Sequence, residues 1–81
     1  MSRWATVQYQ VVLTHDPVVA TVVAEIPALH ISDFGVDGPE ALDRLQAMAI
    51  FHLDCLVQEG KPVPPGEKED AGFYLRLKLV N

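Results

Sequence analysis

The stretch DGPEALDRLQAMAIFHLDCLVQEG, residues 37–60, decides the architecture. Asp37 suits an N-cap, where its carboxylate accepts orphan backbone N–H groups of the first turn. Pro39 falls in that turn, where a missing N–H costs little, and Glu40 stands three residues after the cap, as in a capping box. Gly60 supplies a stop, and Pro62 bars continuation. Between these signals Leu42, Leu45, Ala49, Leu53 and Leu56 recur at intervals of three and four, forming one apolar stripe. Asp43, Arg44, Asp54 and Gln58 occupy the opposite side. The spacing predicts one helix from about Gly38 to Glu59. Phe51 breaks the pattern, lying about 140° from the centre of the stripe at 100° per residue. Either it packs beneath the Pro-rich segment that follows, or it faces a partner with Ala47, Ile50 and Val57 as apolar neighbours.

Outward from the helix the period changes to two. From Trp4 to Leu13, Val7, Tyr9, Val11 and Leu13 alternate with Thr6, Gln8 and Gln10, the pattern of a half-buried strand. His15-Asp16-Pro17 punctuates, and Val18 to Ile26 reads as a second strand bounded by Pro27. Ile31 to Val36 is a short third candidate. Lys61 to Ala71 is rich in Pro, Gly and charge, hence a loop. Phe73, Leu75, Leu77 and Leu79 then alternate with Tyr74, Arg76 and Lys78 as a final strand.

The order is β-β-β-α-β, an α+β fold. A meander of the first three strands with the helix on one face predicts a four-stranded sheet in the order 3-2-1-4, its last strand parallel to the first. The uncovered sheet face would then carry Thr6, Gln8, Gln10, Val12, Val19, Thr21, Val23 and Glu25. Its half-polar character suits water or a partner. Val12, Val19 and Val23 on this face, and Phe51 on the helix, are the candidate contact residues.

The 81 residues allow one domain, 1–81. A chain of this size buries only about 60–65% of its unfolded surface, so self-association would enlarge a thin core. Six basic against eleven acidic residues leave a formal charge of −5. That balance argues against binding a phosphate backbone, which needs clustered Lys and Arg; it suits a basic protein partner or plain solubility. Nothing resembles a signal peptide or a membrane span, so the expected location is the cytoplasm.

Taken together, Glu25-Ile26-Pro27-Ala28-Leu29, then Gly35-Val36-Asp37, then Glu40-Ala41-Leu42, a long amphipathic helix and Glu59-Gly60-Lys61-Pro62 resemble the HicB-like antitoxin family. The likeness covers roughly residues 7–66 and rests on the order and spacing of its pieces. His30-Ile31-Ser32 stands where the family has Pro-Gly-Cys, and Asp37 takes the place of the family's capping Thr. The resemblance implies a partial ribonuclease-H-like fold and homodimers or higher oligomers. It further implies neutralisation of a small basic HicA-like toxin that cleaves mRNA. Many members continue into a DNA-binding module; this chain ends at Asn81, so no autorepressor role is carried over. Glu25, Pro27, Gly35, Asp37, Glu40, Ala41 and Gly60 are the motif residues and are expected to serve structure. The competing expectation is a self-associating structural domain with no toxin; a ligand-binding or regulatory domain ranks third.

Catalytic readings fare poorly. Two-metal phosphodiester chemistry needs converging carboxylates, and neither Trp4–Leu13 nor Phe73–Val80 carries an acid. Among the remaining acids Glu25 and Glu40 stand out, and capping explains Glu40. His52 and Asp54 are two apart on a helix and diverge. His30 and Asp33 alone do not close a metal site. Cys55 stands alone, with His52 as its one nearby base and no third group, which points to an inert thiol. The expectation is therefore no enzyme, no cofactor, no metal and no nucleic-acid partner.

Overall fold

The computed structural model describes residues 4–68, 70 and 72–80. Its elements are β1 (Trp4–Asp16), β2 (Thr21–Ile26), a 3-10 turn (Pro27–Leu29), β3 (Ile31–Gly35), α1 (Gly38–Gln58) and β4 (Phe73–Val80). The sheet order is β3-β2-β1-β4, as alternation and capping predict, and every neighbouring pair is antiparallel. β4 therefore runs against β1, not along it.

The reason lies in how β1 shares its pairing. Its 13 residues split between two ladders: Val12–Asp16 pairs with β2, while Trp4–Val11 pairs with β4. Beyond Val12, the side of β1 that faced β2 has no strand beside it. The loop after α1 fills that gap. Glu67 donates its backbone N–H to the Gln8 carbonyl (2.9 Å), and its carboxylate accepts from the Gln10 N–H (3.0 Å). The Gln8 side-chain amide donates to the Glu67 carbonyl at 3.1 Å. Tyr9, on the helix side, donates its hydroxyl to the Pro64 carbonyl at 2.6 Å. So the loop passes from the helix side, round the edge of β1, to the outer face. Gly66 makes the passage possible: a Cβ there would lie 2.9 Å from Val7 Cγ2 and 3.3 Å from the Gln8 carbonyl. Having climbed back along β1, the chain enters β4 opposite Val11 and must descend antiparallel.

Proline and a left-handed residue shape the other turns. Pro27 opens the 3-10 turn and His30, at φ 55°, closes it by donating its N–H to the Pro27 carbonyl (3.1 Å). The hairpin between β1 and β2 spans Pro17–Ala20, with Ala20 at φ 50° and Asp16 accepting the Val18 N–H at 3.0 Å. The second strand thus begins at Thr21, three residues later than alternation suggested. Val18 and Val19 are β-branched but belong to the turn, because the Asp16–Pro17 pair reverses the chain there.

The core lies between the sheet and α1. Tyr9, Val11, Ala24, Ile26, Leu29 and Leu77 meet Ala41, Leu45, Ala49 and Leu53, with Val63 of the loop packed at the edge. Leu42 and Leu56, also on the helical stripe, are partly buried. Helix capping follows the sequence signals: the Asp37 carboxylate accepts the Glu40 N–H at 2.9 Å, and Glu40 reaches back to the Val36 N–H at 3.4 Å. At the other end Gly60, at φ 69°, donates to Val57 and Lys61 donates to Leu56, the paired bonds of a Schellman motif.

Gly35 is the tightest joint between sheet and helix. A Cβ there would lie 2.6 Å from the Ala41 backbone nitrogen and 2.9 Å from Glu40 Cβ, so α1 sits directly against β3. Gly35→Ala is expected to lower stability by about 1–3 kcal/mol, an overpacking cost read as a lower urea midpoint. Tyr9 provides a second test. Burial, and then the nearby Glu67 carboxylate, raise its phenol above the ordinary 10.0. A raised value means its contribution is complete below about pH 10 and is lost as pH climbs through the folded value. Tyr9→Phe should cost about 1 kcal/mol at neutral pH and blunt this alkaline loss in denaturant titrations.

Candidate interaction surfaces

The antiparallel register sorts side chains into two sets. Thr6, Gln8 and Gln10 of β1 share the outer face with Tyr74, Arg76 and Lys78 of β4. Val12 and Thr14 share it with Glu25 and Val23, and Val23 is in turn opposite Phe34 of β3. The loop narrows this face. Gln8 and Gln10 are half-buried, and an open cleft of about 450 Å³ is lined by Thr6, Val7, Gln8, Gly66, Glu67 and Arg76. The half built on β2 and β3 lies away from these loop contacts.

Of the contact residues expected from sequence, Val12 and Val23 do fall together on that half; Val12 is 41% exposed and Val23 is half-buried. Val19 does not join them. It is 63% exposed in the hairpin turn, off the sheet face. The row is completed instead by Phe34, 56% exposed, a residue sequence reasoning passed over. Alternation along Ile31–Val36 puts Ser32 and Phe34 on one side of β3, and the register sets that side with Val23. Arg44 reaches round from α1 to place its guanidinium 5.4 Å from the Phe34 ring centroid, while it pairs with Asp33 (3.6 Å) and Glu40 (3.8 Å).

Phe51 belongs to a different surface. It is 70% exposed on α1, which excludes packing beneath the Pro-rich loop. Ala47 and Ile50 are exposed beside it, and Asp43 and Asp54 are exposed at either end. Beside this face a small cleft of about 120 Å³ runs between α1 and β4, lined by Ile50, Leu53, Asp54, Val57, Lys78 and Leu79.

The motif residues divide into structural tasks: Pro27 starts the turn, Gly35 admits the helix, Asp37 and Glu40 cap it, Ala41 is fully buried, and Gly60 ends it. Glu25 alone is free of such a task, exposed on the β2–β3 half of the sheet. Among the described residues no group of three or more His, Cys, Asp or Glu side chains is placed to hold a metal ion. Asp33 turns to Arg44, His30 is exposed in its turn, and Cys55 is a half-buried thiol. No described helix is long and apolar enough to cross a membrane. Comparison with known proteins returned no matching family, no matching curated protein and no matching solved structure.

The contrast between neighbouring helix residues is directly testable. Leu53 is 1% exposed, so Leu53→Ala should cost about 2–5 kcal/mol by chemical denaturation. Phe51→Ala should change stability by no more than about 0.5 kcal/mol, leaving the side chain available for another role.

Proposed function

We propose that the chain is an antitoxin-type protein-binding module of the HicB-like kind, with a partial ribonuclease-H-like outline. It binds and silences a small basic HicA-like toxin that cleaves mRNA. It acts in the cytoplasm as a homodimer or higher oligomer, and by occlusion: it needs no cofactor, metal or nucleic-acid contact of its own. One observation carries this reading: an acidic chain displays large apolar side chains on two opposite faces while its motif residues are occupied in building the fold. Exposed apolar groups in a polar setting are the ordinary composition of a protein interface. The net charge of −5 draws a basic protein toward it and repels a polyphosphate.

A second reading, self-association without a toxin, draws on the Val12–Val23–Phe34 row alone. That row is flat, apolar and next to the short edge strand β3, so a second copy seated there would bury it.

Co-expression with a small basic HicA-like toxin separates the two. Relief of growth arrest, with saturable binding of the purified proteins in calorimetry, is the expected result. Unrelieved arrest together with no binding heat overturns the antitoxin reading. Sedimentation alone should show an assembly larger than the 8.9 kDa chain at tens of micromolar, and a monomer there overturns the self-association.

A further inference from the structure

The solvent side of α1 has a definite charge order. Counting 100° per residue from the buried stripe, Glu40, Asp43, Arg44, Ala47, Ile50, Phe51, Asp54 and Gln58 fall on the side away from the sheet. The middle two turns are apolar: Phe51 and Ile50 are 70% and 47% exposed, with Ala47 exposed beside them. Acids flank this patch, Asp43 toward one end and Asp54 toward the other, about 16 Å apart at 1.5 Å per residue. The helix's one cation, Arg44, is engaged at the β3 edge by Asp33 and Glu40. Glu59, just past the helix, is matched by Lys61 at 2.9 Å. Asp54 accepts a neutral amide, that of Gln58, at 3.0 Å. Asp43 and Asp54 thus stand exposed on either side of the aromatic.

We infer that this face of α1, centred on Phe51 and Ile50 and bracketed by Asp43 and Asp54, is the docking surface for the basic partner. The inference rests on the antitoxin reading and assigns it a place. Its occupant is a protein that presents Lys or Arg on both sides of an apolar depression able to receive the Phe51 ring. A second copy of this chain is the wrong occupant. A second copy would bring the same two acids to the contact, and the Arg44 of that face is already held by its own Asp33 and Glu40. Like charges facing each other across an interface oppose association. Phe51 has the features of an anchor: a large aromatic, central in the patch and ringed by polar groups that close water out when a partner seats.

Calorimetric titration of the full chain with a purified small basic HicA-like toxin tests this, with circular dichroism checking each variant's fold. Phe51→Glu should weaken binding by about 30-fold or more, the cost of losing a hot spot. Asp43→Asn with Asp54→Asn should weaken it less, slow association and flatten its dependence on salt. Phe34→Glu, on the opposite face, should leave affinity within about twofold. Sedimentation of Phe51→Glu without toxin should match the wild type. If the wild type binds toxin and Phe51→Glu binds equally well, or if Phe34→Glu is the variant that loses binding, this surface is wrong and the antitoxin reading stands. If Phe51→Glu dissociates the self-assembly, the face belongs to a second copy and the proposal fails. If the wild type does not bind the toxin, both fall together.

Discussion

Gln8 and Gln10 turn their backbone groups toward a side of β1 that β2 has already left. Backbone N–H and C=O groups shielded from water without a partner each cost about 1–3 kcal/mol, so the chain must supply something there. Glu67 supplies it, with its own backbone and its carboxylate. The rest of the molecule depends on this settlement. It draws the loop round the edge of β1 and seats Pro64 on the buried Tyr9 hydroxyl. It also delivers the chain to the far side of β1 at the height of Val11, where β4 can only run antiparallel.

The same loop divides the labour of the sheet's two faces. The inner face is closed by α1, which rests on β3 through the bare Gly35 and lays Ala41, Leu45, Ala49 and Leu53 into the core. The outer face is partly roofed by the loop over Gln8 and Gln10. Near the β3 edge this face carries the exposed Val12 and Phe34 with the half-buried Val23 between them. On the helix the exposed aromatic sits on the side opposite the sheet. Two surfaces of different electrical character result: a mixed apolar row on the sheet and an acid-flanked patch on α1. Geometry keeps them apart, so one protein can hold two neighbours without their competing. This separation is the physical basis of the assignments proposed for each surface.

Arg44 links the two surfaces. It leaves the helix, pairs with Asp33 and Glu40 and lies over the Phe34 ring, so the single cation of α1 is committed to the sheet edge. Each ion pair is partly exposed and contributes little stability by itself. The consequence is electrostatic: the outer side of α1 is left with acids around Ile50 and Phe51, and its attraction is directed to cations.

By itself the sequence determined whatever depends on neighbours along the chain. The limits of α1, its cap at Asp37 and its stop at Gly60, the buried stripe and the alternating strands are local events. Capping bonds and side-chain periodicity act within a few residues, and the strand order 3-2-1-4 follows from their succession. The helical period set Phe51 off the buried stripe but left open whether the Pro-rich segment would cover it. The tertiary structure decided what depends on distant partners. The direction of β4 was set by Glu67 meeting Gln8 and Gln10, nearly sixty residues away. The true start of β2 was set by a turn at Pro17–Ala20, which removed Val19 from the sheet although its β-branched side chain favours a strand. Phe34 joined Val23 only through the β2–β3 register, and Phe51 stays exposed while the loop packs against β1. A long-range contact of this kind leaves no period in the sequence, because its two halves are fixed by where the backbone groups of β1 find their partners.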